Sequence, residues 1–358
     1  MSPNLYFHLF ANCIPVKGVN RSIICDLQQN SFEFIPNELL FILTRQSKKT
    51  LGEIKAYFDN AYDDIIEEYF DFLIQKKFGR WISKPDKGLI NLNLSYEVPN
   101  TITNCIIDND KNSKHPLPKI ASELDALICQ ALQLRFYDQI TLQDLDSYLR
   151  FFSDSKIRGI EVILPFQEAF TEAQLITLSQ KHTRFLYLVL SAAPENKEAS
   201  YNNEKFKVNY TTAGFQSESC CGHINSHYFR VNIKAFTEAK HFNSCLHKKI
   251  AIDKNGNIGN CPSFPKKYGN IHENSLLEAV EKNDFKKIGA IKKDEISICK
   301  NCEFRYICSD CRAYTENPED QLSKPLKCGY DPHTNTWEQW SSNPLKQKSI
   351  DYYKKQEN

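Results

Sequence analysis

Four cysteines fall within thirteen residues, Cys299-x2-Cys302-x5-Cys308-x2-Cys311, with Cys245 and Cys261 upstream and Cys328 downstream. Two thiols separated by two residues can grip one metal centre, because the turn between them directs both sulfurs inward, and two such pairs supply four soft ligands. The chain has thirteen Cys in all, and nine of them lie in residues 220–328. Residues 1–10 lack the basic start and long apolar stretch of a signal peptide, and the most apolar run, 185–190, is far short of a membrane span. A cytoplasmic chain with reduced thiols is therefore expected, in which clustered cysteines act as metal ligands rather than as disulfides.

Charge narrows the field further. Forty-five Lys and Arg stand against forty-four Asp and Glu, a formal net charge of +1, which excludes binding of nucleic acid or anionic membrane by bulk charge. There is no long internal repeat, no Gly-rich phosphate loop and no paired-His zincin motif, so the chemistry has to be sought among the thiols.

Three structural parts and a tail are expected: 1–90, 91–235, 236–340 and 341–358. In the first, β-type runs at 21–26 and 31–35 flank a polar turn, and Pro36 closes the second. Asn37 is placed to cap a helix over 38–45, Thr50 with Glu53 has capping-box spacing for a helix at 51–58, and 61–78 reads as a third. In that third helix Ile65, Ile66, Tyr69, Phe72 and Leu73 form an apolar stripe opposite an acidic face. A strand pair leading into three helices is a winged-helix plan. Residues 31–90 carry nine basic and ten acidic side chains, which disfavours DNA and leaves a strand edge that takes an extended peptide, or simply a small structural domain, as the expectations.

The second part alternates strand-like and helical runs at 101–107, 119–136, 142–152, 159–164, 172–182, 185–190 and 228–233. The run 119–136 reads as one helix along Ile120, Leu124, Leu127, Ile128, Ala131 and Leu134, and Thr141 with Asp144 starts the next. Such alternation predicts parallel strands with crossover helices, hence an α/β fold built as a partial (β/α) barrel. Cys13, Cys25, Cys105 and Cys129 sit in apolar elements and read as small buried hydrophobes.

In the third part, Asn255-Gly256 marks a tight hairpin turn that brings Cys245 and Cys261 together, and Ser275 with Glu278 starts a helix through about residue 288. Zinc would be satisfied by Cys299, Cys302, Cys308 and Cys311, but it leaves Cys245, Cys261 and Cys328 without a partner, and the five-residue spacer is short for a zinc ribbon. Seven thiols suit iron–sulfur clusters better, with zinc and an unmetallated structural role as the alternatives. The tail, with Tyr352-Tyr353 among charges, reads as a solvated end.

Cys245, ten residues, Gly256, four residues, Cys261, then Cys299-x2-Cys302-x5-Cys308-x2-Cys311, then Cys328, resembles a SPASM domain, the auxiliary-cluster module of radical S-adenosylmethionine peptide-maturing enzymes. The Cys-x3-Cys-x2-Cys loop that such enzymes carry after the first barrel strand is missing, since Asp108-Asn109-Asp110-Lys111-Asn112 follows that strand. Taken with the winged-helix start and the degenerate barrel, the chain resembles the SPASM-domain peptide maturase of grasp-with-spasm systems. That resemblance implies one auxiliary [4Fe-4S] cluster on Cys299, Cys302, Cys308 and Cys328, and a contribution from Cys245, Cys261 and Cys311 to another. Here two residues, rather than the usual three, precede the sixth thiol, and the second set has three assigned ligands. Cys220, Cys221, His223, His227, His241 and His247 are candidates for the fourth, as is an open iron that binds substrate.

The resemblance also implies the partners: a ribosomally made precursor peptide and an ATP-grasp ligase, with no S-adenosylmethionine site in the chain. The competing readings are a redox-active iron–sulfur enzyme acting on the peptide and a zinc-stabilised adaptor.

Overall fold

A computed structural model describes residues 2–84 and 92–357. The expected boundary at 90/91 lies outside the described residues. The chain opens on β1 (Tyr6–Leu9), β2 (Cys13–Lys17), β3 (Ser22–Asp26) and β4 (Ser31–Ile35), followed by α1 (Asn37–Arg45), α2 (Leu51–Tyr57), α3 (Asp63–Gln75) and β5 (Gly79–Ile82). Strands β2, β3 and β4 form an antiparallel sheet, and β1 pairs with β5. The expected β3–β4 hairpin and the Thr50–Glu53 capping box are present.

The sequence reading missed β1 and β2. Pro15 interrupts the strand signal of β2 and is tolerated because β2 lies at the sheet edge. Asn37 does not cap α1: Pro36 holds that position, while the Asn37 side chain accepts from Ser22 Oγ at 2.5 Å and donates to the Val19 carbonyl at 3.1 Å. In α3 Ile66, Phe70 and Leu73 are buried and Tyr69 and Phe72 pack partly buried on the same core, while Ile65 of the expected stripe is exposed.

Strand β3 is buried on both faces. Its side chains alternate, so Ile24 packs with Leu39, Ile54 and Phe70 of its own module, whereas Ile23 and Cys25 pack with Phe236, Phe304, Ile307 and Cys308. The N-terminal module is thereby seated on the cysteine-rich region. Arg21 adds to the seam, donating through Nε to Glu303 Oε1 at 2.8 Å and lying 3.7 Å from the centre of the Phe34 ring.

The central layer runs β6 (Asn104–Asn109), α4 (Leu117–Ala126), β7 (Ala131–Phe136), α5 (Leu142–Arg150), β8 (Gly159–Pro165), α6 (Glu172–Lys181), β9 (Phe185–Ser191), β10 (Lys197–Tyr201) and β11 (Phe206–Tyr210). Next come α7 (Ile233–His241), β12 (Lys249–Ile252), β13 (Ile258–Gly259), α8 (Leu276–Glu281) and α9 (Lys287–Ala290). Eight strands form one sheet in the order β10-β11-β9-β8-β7-β6-β12-β13, parallel from β11 through β12. The fold is mixed α/β with a large parallel-rich sheet, as the alternation predicts. Strands β12 and β13, from the cysteine-rich segment, belong to this sheet.

Several runs resolve differently from expectation. Residues 119–136 are not one helix: α4 ends at Ala126, Ile128 turns the backbone at φ 58°, and β7 follows. Leu132, Leu134 and Phe136 continue the apolar run at period two, and a continuous apolar run fits either element. Residues 228–233 hold a short turn and the start of α7, capped by Asn232, rather than a strand. Helix α8 stops at Glu281 and α9 is a separate turn.

One face of the sheet, with Leu132, Leu134, Val162, Leu188 and Ile250, packs on α4, α5 and α6. The opposite face presents Asn104, Gln133, Glu161 and Tyr187 toward α7 and the cysteine loops.

Two short strands, β14 (Tyr330–Asp331) and β15 (Thr336–Trp337), precede the C-terminal helix α10 (Gln347–Glu357). This tail is docked rather than solvated. Lys346, Ser349 and Ile350 are buried, and Tyr353 packs edge-on against Tyr314 with ring centres 5.1 Å apart. No helix among the described residues is long and apolar enough to cross a membrane.

Candidate metal centres

Cys299 begins a short helical turn, 299–301, and the Cys302 amide donates to the Cys299 carbonyl at 3.0 Å, which points both thiols the same way. A second turn, Phe304 to Cys308, ends with the Cys308 amide on the Phe304 carbonyl at 3.0 Å. Cys328 arrives beside Ile224 through a parallel bridge. These four thiols line one partly open pocket, walled by Ile224, Phe229, Phe304 and Trp337. Lys293, 4% exposed, donates through Nζ to Cys308 Sγ at 3.4 Å.

The second set is assembled from distant segments. Cys245 follows buried Asn243, whose Oδ1 accepts from the Cys245 amide at 2.9 Å and whose Nδ2 donates to Asp310 Oδ2 at 2.6 Å. The β12–β13 hairpin turns at Gly256, with φ 83°, and delivers Cys261. Cys261 and Cys311 each feel the charge of Cys245 and of Cys221. Cys221 therefore completes a group of four. Gly222 lets it come close, because φ is 87° there and a Cβ would stand 2.9 Å from Cys311 Sγ. Lys249 Nζ donates to Cys245 Sγ and Arg135 Nη1 donates to Cys221 Sγ, both at 3.4 Å.

All seven thiols singled out from spacing fall into these two sets. Of the candidates for the fourth ligand, Cys221 joins the second set, whereas Cys220 directs its sulfur to the Gly214 carbonyl at 3.8 Å. His223 lies edge-on to Trp340, His227 is exposed, His241 meets the Leu94 carbonyl, and His247 pairs with Glu238 while stacking on Phe242. Cys13, Cys25, Cys105 and Cys129 are buried in the apolar cores, as expected.

Burial makes free thiolates costly in both sets. It pushes the Cys299 thiol up to about 12, and those of Cys308 and Cys261 to about 11, with neighbouring sulfurs adding to the effect. Cys302 and Cys311 are raised for the same first reason. Such thiols stay protonated unless a cationic centre draws the protons off, which is what metal coordination does. Among the described residues no three His, Cys, Asp or Glu side chains converge on one ion-sized point. A four-iron cluster spreads its thiolates around several metal atoms rather than one.

Lys293, Lys249 and Arg135 escaped the sequence reading. Lys249 stands four residues after Cys245 and Lys293 six before Cys299, but an isolated Lys in sequence looks the same whether it is solvated or buried against sulfur.

Two further features adjoin the second set. A cleft of about 1500 Å³, including its open mouth, runs over the sheet face past Asn104, Gln133, Glu161 and Tyr187 to Cys221, Cys245 and Lys249. Across its floor Gln133 Nε2 donates to Glu161 Oε2 at 2.8 Å. At the C-terminal ends of β6 and β7, Asp108 takes two hydrogen bonds from Arg135 and one from the Tyr137 hydroxyl, and Asn109 ties Ile107 to Arg135 through its side-chain amide.

Residues 244–303 match the SPASM model, an iron–sulfur cluster-binding domain. The matched span carries Cys245, Cys261, Cys299 and Cys302. Two solved structures from Streptococcus suis are similar at low identity. SuiB bound to S-adenosylmethionine is 13% identical over 91% of this chain and 98% of that one, with a TM-score of 0.34. SuiB bound to the precursor peptide SuiA is 11% identical over 87% and 95%, with a TM-score of 0.26. Scores this low carry neither fold nor function across. No curated protein matches the chain.

Proposed function

We propose that this protein takes part in maturing a ribosomally made peptide and holds two [4Fe-4S] clusters, one on Cys299, Cys302, Cys308 and Cys328, the other on Cys221, Cys245, Cys261 and Cys311. The observation that carries the reading is the gathering of eight buried or half-buried thiols into two sets of four, across a segment that matches an iron–sulfur cluster-binding domain. Such clusters would supply one-electron transfer. The chain's own part is to hold the thiols, to exclude water from the first set with Phe229, Phe304 and Trp337, and to direct cationic N–H groups at the sulfurs.

The precursor is proposed to bind on the N-terminal module. Strand β4 is an edge strand, and an extended peptide adds to such an edge through main-chain hydrogen bonds. An ATP-grasp ligase is the proposed partner, on the strength of the family resemblance. The protein is proposed not to cleave S-adenosylmethionine: residues 106–128 hold no Cys, and the Asp108–Arg135–Tyr137 network occupies the strand ends where α/β barrels place their reactive groups. The division into a recognition module, a central α/β layer and a cysteine-rich domain belongs to the same proposal.

Anaerobic purification with iron, sulfide and zinc counted per chain tests the reading. About eight irons with matching sulfide and a brown chromophore support it. Stoichiometric zinc in a colourless protein overturns it, and reductive cleavage of S-adenosylmethionine by the loaded protein overturns the proposal that the chain does not perform that reaction. Anisotropy of a labelled, neighbour-encoded peptide tests the binding role. A second reading, that the protein itself acts on the peptide by redox chemistry, is favoured by the cleft that exposes Cys221 and Cys245. It requires that modification of the peptide stop when Cys299 and Cys302 are replaced by Ala.

A further inference from the structure

We propose that Lys293, Lys249 and Arg135 set the reduction potentials of the two clusters apart, so that the cleft-side cluster on Cys221, Cys245, Cys261 and Cys311 is the more readily reduced. This rests on the cluster assignment above.

An electron added to a cluster increases the negative charge on its cysteine sulfurs. An N–H group donated to such a sulfur, or a fixed positive charge beside it, stabilises the reduced form and raises the potential, whereas an apolar, dry surround lowers it. These effects grow in a low-dielectric setting. The two sets differ on both counts.

The first set receives one cationic donor, Lys293 to Cys308 Sγ at 3.4 Å. The nearest carboxylates are already engaged: Asp310 accepts from Arg312 Nη2 at 2.8 Å and Glu303 from Arg21 Nε at 2.8 Å. Its walls are mostly apolar, Ile224, Phe229, Phe304 and Trp337, while Arg305 and Lys324, which also line it, are paired with Asp294 and Glu316; Cys299, Cys308 and Cys328 are buried and Cys302 is half-buried. The second set receives N–H donors on two different sulfurs, Lys249 on Cys245 and Arg135 on Cys221, each at 3.4 Å, the Arg135 charge being paired with Asp108. Each set also has a lysine on the main-chain carbonyl of one of its cysteines, Lys327 on that of Cys221 at 2.8 Å and Lys346 on that of Cys328 at 2.6 Å, so this contact does not separate them. Cys221 and Cys245 are half-buried and line the cleft, where water reaches them. Two N–H donors on sulfur against one, and more water, both place the second potential above the first. An electron lost by the first cluster and gained by the second would then move toward the cleft.

The test is a potentiometric titration of the anaerobic holoprotein, followed by visible absorbance and by electron paramagnetic resonance. Wild type is expected to show two one-electron steps separated by at least a tenfold ratio, about 59 mV for one electron. Lys249→Met is expected to lower the upper step alone and Lys293→Met the lower step alone, each by about tenfold in the reduced-to-oxidised ratio, about 59 mV. Lys249→Arg and Lys293→Arg, which keep a cation, are expected to stay near wild type. Should a Met variant fail to load iron, Lys→Gln at the same position takes its place. Coincident steps in wild type overturn the proposal, as do Met or Gln variants that load fully and leave both steps in place, or variants that move the opposite step. A wild-type protein without iron instead overturns the cluster assignment itself.

Discussion

Arg135 and Asp108 close on each other through two hydrogen bonds, Nε to Oδ1 at 2.5 Å and Nη2 to Oδ2 at 2.6 Å, with both side chains 1% exposed. The pair spans the ends of adjacent parallel strands, and the Tyr137 hydroxyl donates to the same carboxylate. Removing one partner strands a charge away from water, so Asp108→Ala is expected to destabilise the protein by about 3–5 kcal/mol. Replacing both partners with apolar groups, Asp108→Leu with Arg135→Met, removes both desolvation penalties and is expected to cost less than the single change. Urea unfolding midpoints compare the two. A double variant as unstable as Asp108→Ala would show that the charge itself is not what the single change leaves unpaid.

Neighbouring thiols 220 and 221 separate the two sulfur environments. Cys221→Ser is expected to remove about four of about eight irons per chain, because one ligand of a cluster is lost, while Cys220→Ser leaves the iron content unchanged. Cys299→Ser should also remove about four, and combining it with Cys221→Ser should remove nearly all. Iron assay of the purified variants reads this directly, and equal loss from the changes at 220 and 221 would break the partition.

Part of the candidate site was legible because the grouping of its thiols is partly local. Cys299 and Cys302 reach one set within a single turn, Cys308 and Cys311 divide between the two sets although only three positions apart, and Asn255-Gly256 announces the hairpin that carries Cys261. Cys221 was only half legible, since it reaches the second set from a separate loop, and the nearest clue is Gly222, whose absent side chain makes room for Cys311. The α/β class followed from alternating runs, yet the membership of β12 in the sheet did not. Its pairing with β6, Lys249 opposite Asn104, is a long-range contact that no window of sequence contains. Strand β7 was lost inside an apolar run whose first half is helix α4. Strand β10 is polar with little periodic signal, and β11, Phe206 to Tyr210, alternates apolar and polar residues over only five positions.

Lys346 links the C-terminal tail to the loop that carries Cys328. Its Nζ donates to the Leu326 and Cys328 carbonyls at 2.9 and 2.6 Å and pairs with Glu316 at 2.8 Å. Lys346→Ala leaves two carbonyls beside Cys328 without a donor, and about 1–3 kcal/mol of destabilisation is expected from unsatisfied buried acceptors. The thermal midpoint should fall, and a chelator should strip iron from the variant faster than from wild type. An unchanged midpoint together with an unchanged stripping rate would mean that the tail is dispensable for that loop.

Asp146 offers a test in pH, well away from the thiols. Its carboxylate meets Lys181 Nζ at 2.6 Å, His182 Nε2 at 2.7 Å and Arg150 Nη2 at 2.7 Å. The hydrogen bond from Lys181, followed by that from His182, holds its pKa well below the usual carboxylate range. In the unfolded chain an Asp titrates at about 3.9, so below that pH the unfolded state binds the proton more readily than the folded state does. The contribution of Asp146 is therefore fully present above about pH 5 and is lost as pH falls through the unfolded value toward the folded one. Asp146→Asn should lower the urea midpoint relative to wild type at pH 7 and at pH 5, and the gap should narrow at pH 3. A gap that stays constant from pH 7 to pH 3 would mean that the carboxylate's ionised form contributes nothing to holding α5 against α6.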